Sequence, residues 1–347
     1  MHIFYRTLAF AVFMLPSATL MAEESDPPGV LFHDVEILTA TITAPLTTLV
    51  KERSKEDYLP GVFHYSEPDG TNVNIDIEIR TRGHFRHRTC DFPPLSLNFK
   101  KSQADGTLFE KQNKLKLVVH CDDAKRYEQI VLREYLAYRI YNAITNMSFR
   151  VRLLRITYVD NEGRRKDQVR YAFLIEHKKR LAERYDMKNL EVERTTIGAI
   201  QPDRLNLASV FQYLIGNTDF SPIAGPPGNG CCHNYVLFQR GTELIIAMPY
   251  DFDQAGIVDA PYASPNENLR IRTVRQRLYR GRCNNNHHVS ASVDKFKDKR
   301  EEIYALVNEQ EGFEPRVRKT LVRFIDKFYE VIDDPKKLER QIVKKCI

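Results

Sequence analysis

In three short stretches, 73–79, 95–99 and 114–119, apolar side chains recur at every second position, and from residue 128 they recur at helical spacing. This change of period constrains the fold more than any other feature. Alternation at period two buries one face of a sheet, whereas a 3.6-residue period buries one stripe of a helix. In VNIDIEI (73–79), Val73, Ile75, Ile77 and Ile79 share a face. LSLNF (95–99), behind the rigid Pro93-Pro94 pair, and KLKLVV (114–119) read as further strands. In the latter, Leu115, Leu117 and Val119 face a core, while Lys114, Lys116 and Val118 point the other way. EQIVLREYLAYRIYNAI (128–144) reads as a helix with a broad apolar face. LLRITYV, the turn DNEG and QVRYAFLIE form a hairpin over 153–176. Helices follow at about 203–216, 294–308 and 314–332, with a shorter one after Pro335; the strands YVLF and LIIAMPY lie between the first two. A sheet-rich first half and a mainly helical second half give an α+β chain.

The first 22 residues carry one Arg, an apolar run from Leu8 to Leu15 and small residues before Glu23. That order predicts a signal peptide cleaved after Ala22 and a periplasmic or secreted protein with no membrane attachment after cleavage. The rest divides into a sheet-rich lobe (23–176) and a helical lobe (177–347). Lys and Arg total 52 against 46 Asp and Glu, and the two signs are interspersed, which argues for no nucleic-acid partner. Export favours disulfides among Cys90, Cys121, Cys231, Cys232, Cys283 and Cys346. Cys90 and Cys121, both at strand ends, are expected to pair. Cys283 is expected to pair with Cys231 or Cys232, because a bond between those adjacent residues would be strained. No CxxC spacing marks a metal site.

The stretch GNTDFSPIAGPPGNGCCHNYVLFQRGTELIIAMPYDFDQAG (216–256) carries the chemistry. Asp219 opens a loop after a helix, Asn234 precedes one strand and Asp251 follows another. Adjacent antiparallel strands would bring Asn234 and Asp251 to one end of a hairpin. Phosphoryl transfer needs a carboxylate at the acceptor, an Asn and an Asp on magnesium, and a Lys fixed by a Glu on the phosphates. Lys116 or Lys114 on the strand before the 128–144 helix, with Glu134 in that helix, follows the order of the strand-Lys to helix-Glu ion pair of protein kinases. Arg80, Arg82 and Arg86 cluster around Gly83 and suit an anion.

IEIRTRGHFR, PPLSLNFK, KLKLVVH, QIVLREYLAYRIYNAI, the following hairpin and the GNTDF…HNYVLF…PYDFDQAG block together resemble the CotH kinases, named after spore coat protein H, over about residues 75–280. The resemblance implies a bilobal protein-kinase-like fold, with a sheet-rich N-lobe and a mainly helical C-lobe. It implies transfer of a phosphoryl group from ATP, with Mg2+ or Mn2+, to a protein hydroxyl. Asp219 matches the catalytic-loop Asp, Asn234 and Asp251 the metal-binding pair, with Asp253 assisting, and Glu176 an acidic position near the lobe connection. Two departures stand out. The Asp219-to-Asn234 gap is longer than in the usual catalytic loop, and no GxGxxG run is present, which leaves Arg80, Arg82 and Gly83 to cover the phosphates. Two further readings are a nucleotide-binding pseudokinase and a metal-dependent hydrolase using His233 with Asp219 and Asp251. The nucleotide could also be turned to transfer an adenylyl group.

Overall fold

The computed structural model describes residues 29–67 and 69–347, so the signal-like segment lies outside the described residues. The first half forms strands β1 (Leu38–Ala44), β2 (Leu59–Ser66), β3 (Asn72–Thr81), β4 (Leu95–Phe99), β5 (Lys114–Val118), β6 (Val151–Asp160) and β7 (Gln168–Ile175). Between them lie α1 (Leu46–Glu52), α2 (Phe85–Thr89), α3 (Lys101–Ala104) and α4 (Arg126–Ile144).

The bilobal protein-kinase-like fold, with its sheet-rich N-lobe, does not form. The strands close into a barrel in the order β1-β2-β3-β4-β5-β7-β6. Closure is made by β1, which pairs antiparallel with β2 and parallel with β6, from Leu38 opposite Leu154 to Ala44 opposite Asp160. Both edges of β1 are thereby satisfied, and the barrel has no free strand edge. The architecture is a closed mixed barrel followed by a helical region.

The alternation explains the filling. Ile75, Ile77, Ile79, Leu95, Leu97, Leu115 and Leu117 point inward and pack with Phe63, Phe99 and Phe109. Strands β6 and β7 are buried on both faces. Leu154, Ala172 and Leu174 fill the barrel, while Leu153, Phe173 and Ile175 point outward against α4 and the helical region. Hence RYAFLI reads as a nearly continuous apolar run, as a strand covered on both sides must.

The second half contains α5 (Lys178–Arg184), β8 (Lys188–Leu190), α6 (Pro202–Ile215), β9 (Tyr235–Gln239), β10 (Ile246–Pro249), α7 (Val289–Asp298), α8 (Arg300–Glu309), α9 (Pro315–Ile332) and α10 (Pro335–Gln341). The helix expected at 294–308 is thus two helices joined at Lys299. A small sheet runs β10-β9-β8. Helix α6 starts with Pro202 in its first turn and ends at Gly216, whose φ of 66° is left-handed. A Cβ at Gly216 would stand 3.1 Å from Phe324, so glycine answers both the turn and the packing. This stop releases the chain directly into Asn217, Thr218 and Asp219.

All six cysteines are bonded. Cys90 pairs with Cys121 as expected. Cys283 pairs instead with Cys346, and Cys231 with Cys232. The reason lies in the C-terminal segment, which returns alongside residue 283: Ile347 N–H donates to Gly281 O at 2.9 Å and Cys283 N–H to Ile347 O at 3.3 Å. Such bonding suits an oxidising compartment. Among the described residues no helix is long and apolar enough to cross a membrane.

Candidate active site

Strands β9 and β10 are antiparallel, with Tyr235 opposite Pro249. Beyond that pair, Tyr250 N–H donates to Asn234 O at 3.1 Å, so Asn234 and Asp251 leave the same end of the hairpin. Both turn there through left-handed backbone, with φ of 54° at Asn234 and 60° at Asp251. Asn and Asp tolerate this region better than most side chains, and non-glycine residues held there cluster at functional sites. The Tyr138 hydroxyl on α4 accepts the Asp251 N–H at 2.8 Å and fixes the second turn.

Asp219 arrives from the end of α6 and meets this corner. His233 Nε2 lies 2.7 Å from Asp219 Oδ1. The Asn234 amide donates to Asp219 Oδ2 at 3.0 Å and to its backbone oxygen at 2.7 Å. The bond to Asp219 raises the His233 pKa, against a smaller opposing effect of burial. Asp219, His233 and Asp251 are each about one-third open to solvent, with side-chain exposures of 36%, 34% and 38%. They line a cleft rather than a core.

Behind them lies a buried charge cluster that sequence spacing assigned differently. Glu134 was expected to pair with Lys116; its partner is Arg86 on α2. Arg86 Nη1 approaches Glu134 Oε2 at 3.0 Å, and Nη2 approaches Oε1 at 3.4 Å. The same guanidinium reaches Asp253 Oδ2 at 3.1 Å and Asp251 Oδ1 at 3.7 Å. Burial raises the carboxyl pKa values of Glu134 and Asp253, and Arg86 opposes that rise. Arg86 is itself held well above the usual guanidinium value, its desolvation being outweighed by the carboxylates. The Arg80–Gly83–Arg86 cluster was the available signal for this residue. That Arg86 answers Glu134 depends on how α2 folds over α4, which no local pattern encodes.

Lys116 lies elsewhere in the cleft, with Nζ 4.7 Å from the Tyr250 ring centre. One face is open to water, yet the cleft walls strip much of its hydration. This desolvation, with the nearby Arg82, lowers its pKa to about 8. Arg82 donates through Nε to Leu95 O at 3.1 Å and senses Asp251 and Glu134. Arg80 turns away, over the Tyr58 ring and onto Lys55 O. Glu176 is buried and bonded to Arg184 at 2.9 and 3.0 Å, which gives it a structural partner at the end of β7. A cavity of about 310 Å3 opens beside the cluster, lined by Lys116, Glu176, His177, Asn189, Tyr250 and the Cys231–Cys232 pair.

The structure therefore brings together Asp219, Asn234, Asp251, Asp253, Glu134 and Arg82, adds Arg86 and His233, and sets Lys116 and Glu176 on the adjoining cavity. Among the described residues, no three His, Cys, Asp or Glu side chains are preassembled around one metal position. No family model matches the chain, and no curated protein matches it.

Proposed function

We propose that this chain transfers the terminal phosphoryl group of ATP to a protein hydroxyl in an oxidising compartment, as its resemblance to the CotH kinases implies. The observation that carries the reading is the convergence of Asp219, Asn234 and Asp251 in one open cleft, backed by a buried arginine that already answers three carboxylates.

The donor set suits a magnesium ion. The Asn234 amide nitrogen is committed to Asp219, and its Oδ1 accepts nothing from the described residues. The Asp251 carboxylate is exposed and only loosely tied to Arg86. Two hard oxygens, completed by phosphate and water, match the way proteins hold magnesium. Such an ion, when bound, neutralises phosphate charge.

The remaining work falls to the chain's own groups. Asp219, held through Oδ1 by His233 and through Oδ2 by Asn234, orients the acceptor hydroxyl and receives its proton as the oxygen–phosphorus bond forms and the bond to the leaving ADP breaks. Arg86 and Arg82 supply positive charge for the phosphates, with Glu134 fixing Arg86. Arginine's planar fork suits phosphate better than a point charge. Lys116 and Tyr250 border the cavity available to the nucleoside.

The test is intact-mass measurement of oxidised protein incubated with ATP and Mg2+ or Mn2+, beside Asp251→Asn, which removes the carboxylate charge but keeps a side chain suited to the left-handed backbone there. The wild type is expected to gain a phosphoryl mass, and the variant to lose at least about a hundredfold in rate with its melting temperature retained. An adenylyl mass would change the group transferred. No gain, together with no metal-dependent nucleotide binding, would overturn the reading.

A further inference from the structure

Asp219 lies in no regular element, so its aim depends on what holds the loop. Asn217 Oδ1 accepts the Asp219 N–H at 2.9 Å. The carbonyls on either side of Asp219 are both taken by one side chain. Arg280 Nη1 donates to Thr218 O at 2.6 Å and to Phe220 O at 2.9 Å, and its guanidinium lies 4.8 Å over the Phe220 ring. Thr218 and Phe220 are buried. Arg280 stands 62 residues beyond Thr218 in sequence and, among the described residues, makes no ion pair. Arg280 is half-buried, and its bonds to the two carbonyls offset the hydration it gives up.

The segment bearing Arg280 is itself tied down. Gly281 and Cys283 bond to Ile347 through the backbone, and Cys283 is bonded to Cys346. Arg280, Arg282 and Ile347 line one small crevice with Ser221 and Pro222, the residues that follow Phe220.

We propose that Arg280 is the positioning residue of Asp219: its fork grips the carbonyls flanking the aspartate and aims the carboxylate at His233, and the disulfide-closed tail holds the arginine in place. The catalytic importance of this aim rests on the reading of Asp219 given above; the positioning itself does not.

Arg280→Lys separates the two. Lysine keeps the charge but has no planar fork to bridge both carbonyls. The first readout is the 15N resonance of His233 Nε2, which reports the bond to Asp219 without any turnover. The variant is expected to fold, to bind nucleotide as the wild type does, and to show His233 shifted toward an imidazole free of that bond. Where the wild type turns over, its rate is expected to fall about a hundredfold at unchanged nucleotide affinity, as for a misplaced reacting group. An unchanged His233 resonance would overturn the proposal, whether or not the protein is a transferase. If Arg280→Lys does not fold, Arg280→Gln is read in the same way. If neither folds, Arg280 serves stability alone and the proposal falls.

Discussion

His120 is buried to 1% exposure, stacked 4.7 Å from Phe92, with Asp123 Oδ1 3.7 Å from its Nε2. Burial lowers its pKa from 6.5 to about 4. Between these values the unfolded chain binds a proton that the folded one refuses. The stability is therefore complete above about pH 6.5 and is lost as pH falls toward 4, by roughly 3 kcal/mol. Urea titrations across this range should show His120→Phe spared most of that loss; parallel curves would show that other groups set the acid limb. Charge pairing was less legible than burial. The residue types for the site could be read from the sequence because Asp219, Asn234 and Asp251 each adjoin a recognisable strand or helix end. Arg86 reaches Glu134 only through the tertiary placement of α2, so a lysine on the right strand looked equally suitable.

Strand β1 decides whether the barrel is closed. It lies between β2 and β6 and is hydrogen-bonded to both. Thr41 is opposite His64 on one side and Thr157 on the other. Thr41→Pro should remove ladder bonding from a strand with no free edge and destabilise the protein by about 3 kcal/mol or more. A near-neutral effect in denaturant titration would mean that β1 is peripheral to the sheet. Strands β3, β4 and β5 declared themselves by alternation, and β6 and β7 by apolar runs on either side of the DNEG turn. Strand β1 did not, because its inward set includes Ala40 and Ala44 beside Leu38 and Ile42, a weak hydrophobic signal. Its parallel pairing with a strand more than a hundred residues away carries no local signature at all. The bilobal kinase-like fold came from the family resemblance, and nothing in the strands that could be seen spoke against it.

At the scale of the whole molecule, the Cys283–Cys346 bond spans 63 residues of helical region. Loop-closure entropy assigns such a link about 4 kcal/mol. Replacing both cysteines with serine should reduce the free energy of unfolding by about that amount in urea, and a loss well under 1 kcal/mol would show that packing of α7 to α10 already supplies the constraint. Which cysteine answered Cys283 was illegible because the return of the C-terminal segment is a tertiary event. The parallel seam of the barrel has a different consequence. Synthesis proceeds from the N-terminus, so β1 emerges well before its partner β6, where Leu38 must meet Leu154. Throughout that interval β1 offers one bare edge to whatever attends the nascent chain. The barrel cannot be handed over finished in portions, and a binder of extended peptide would find its opportunity there, before the seam is sewn.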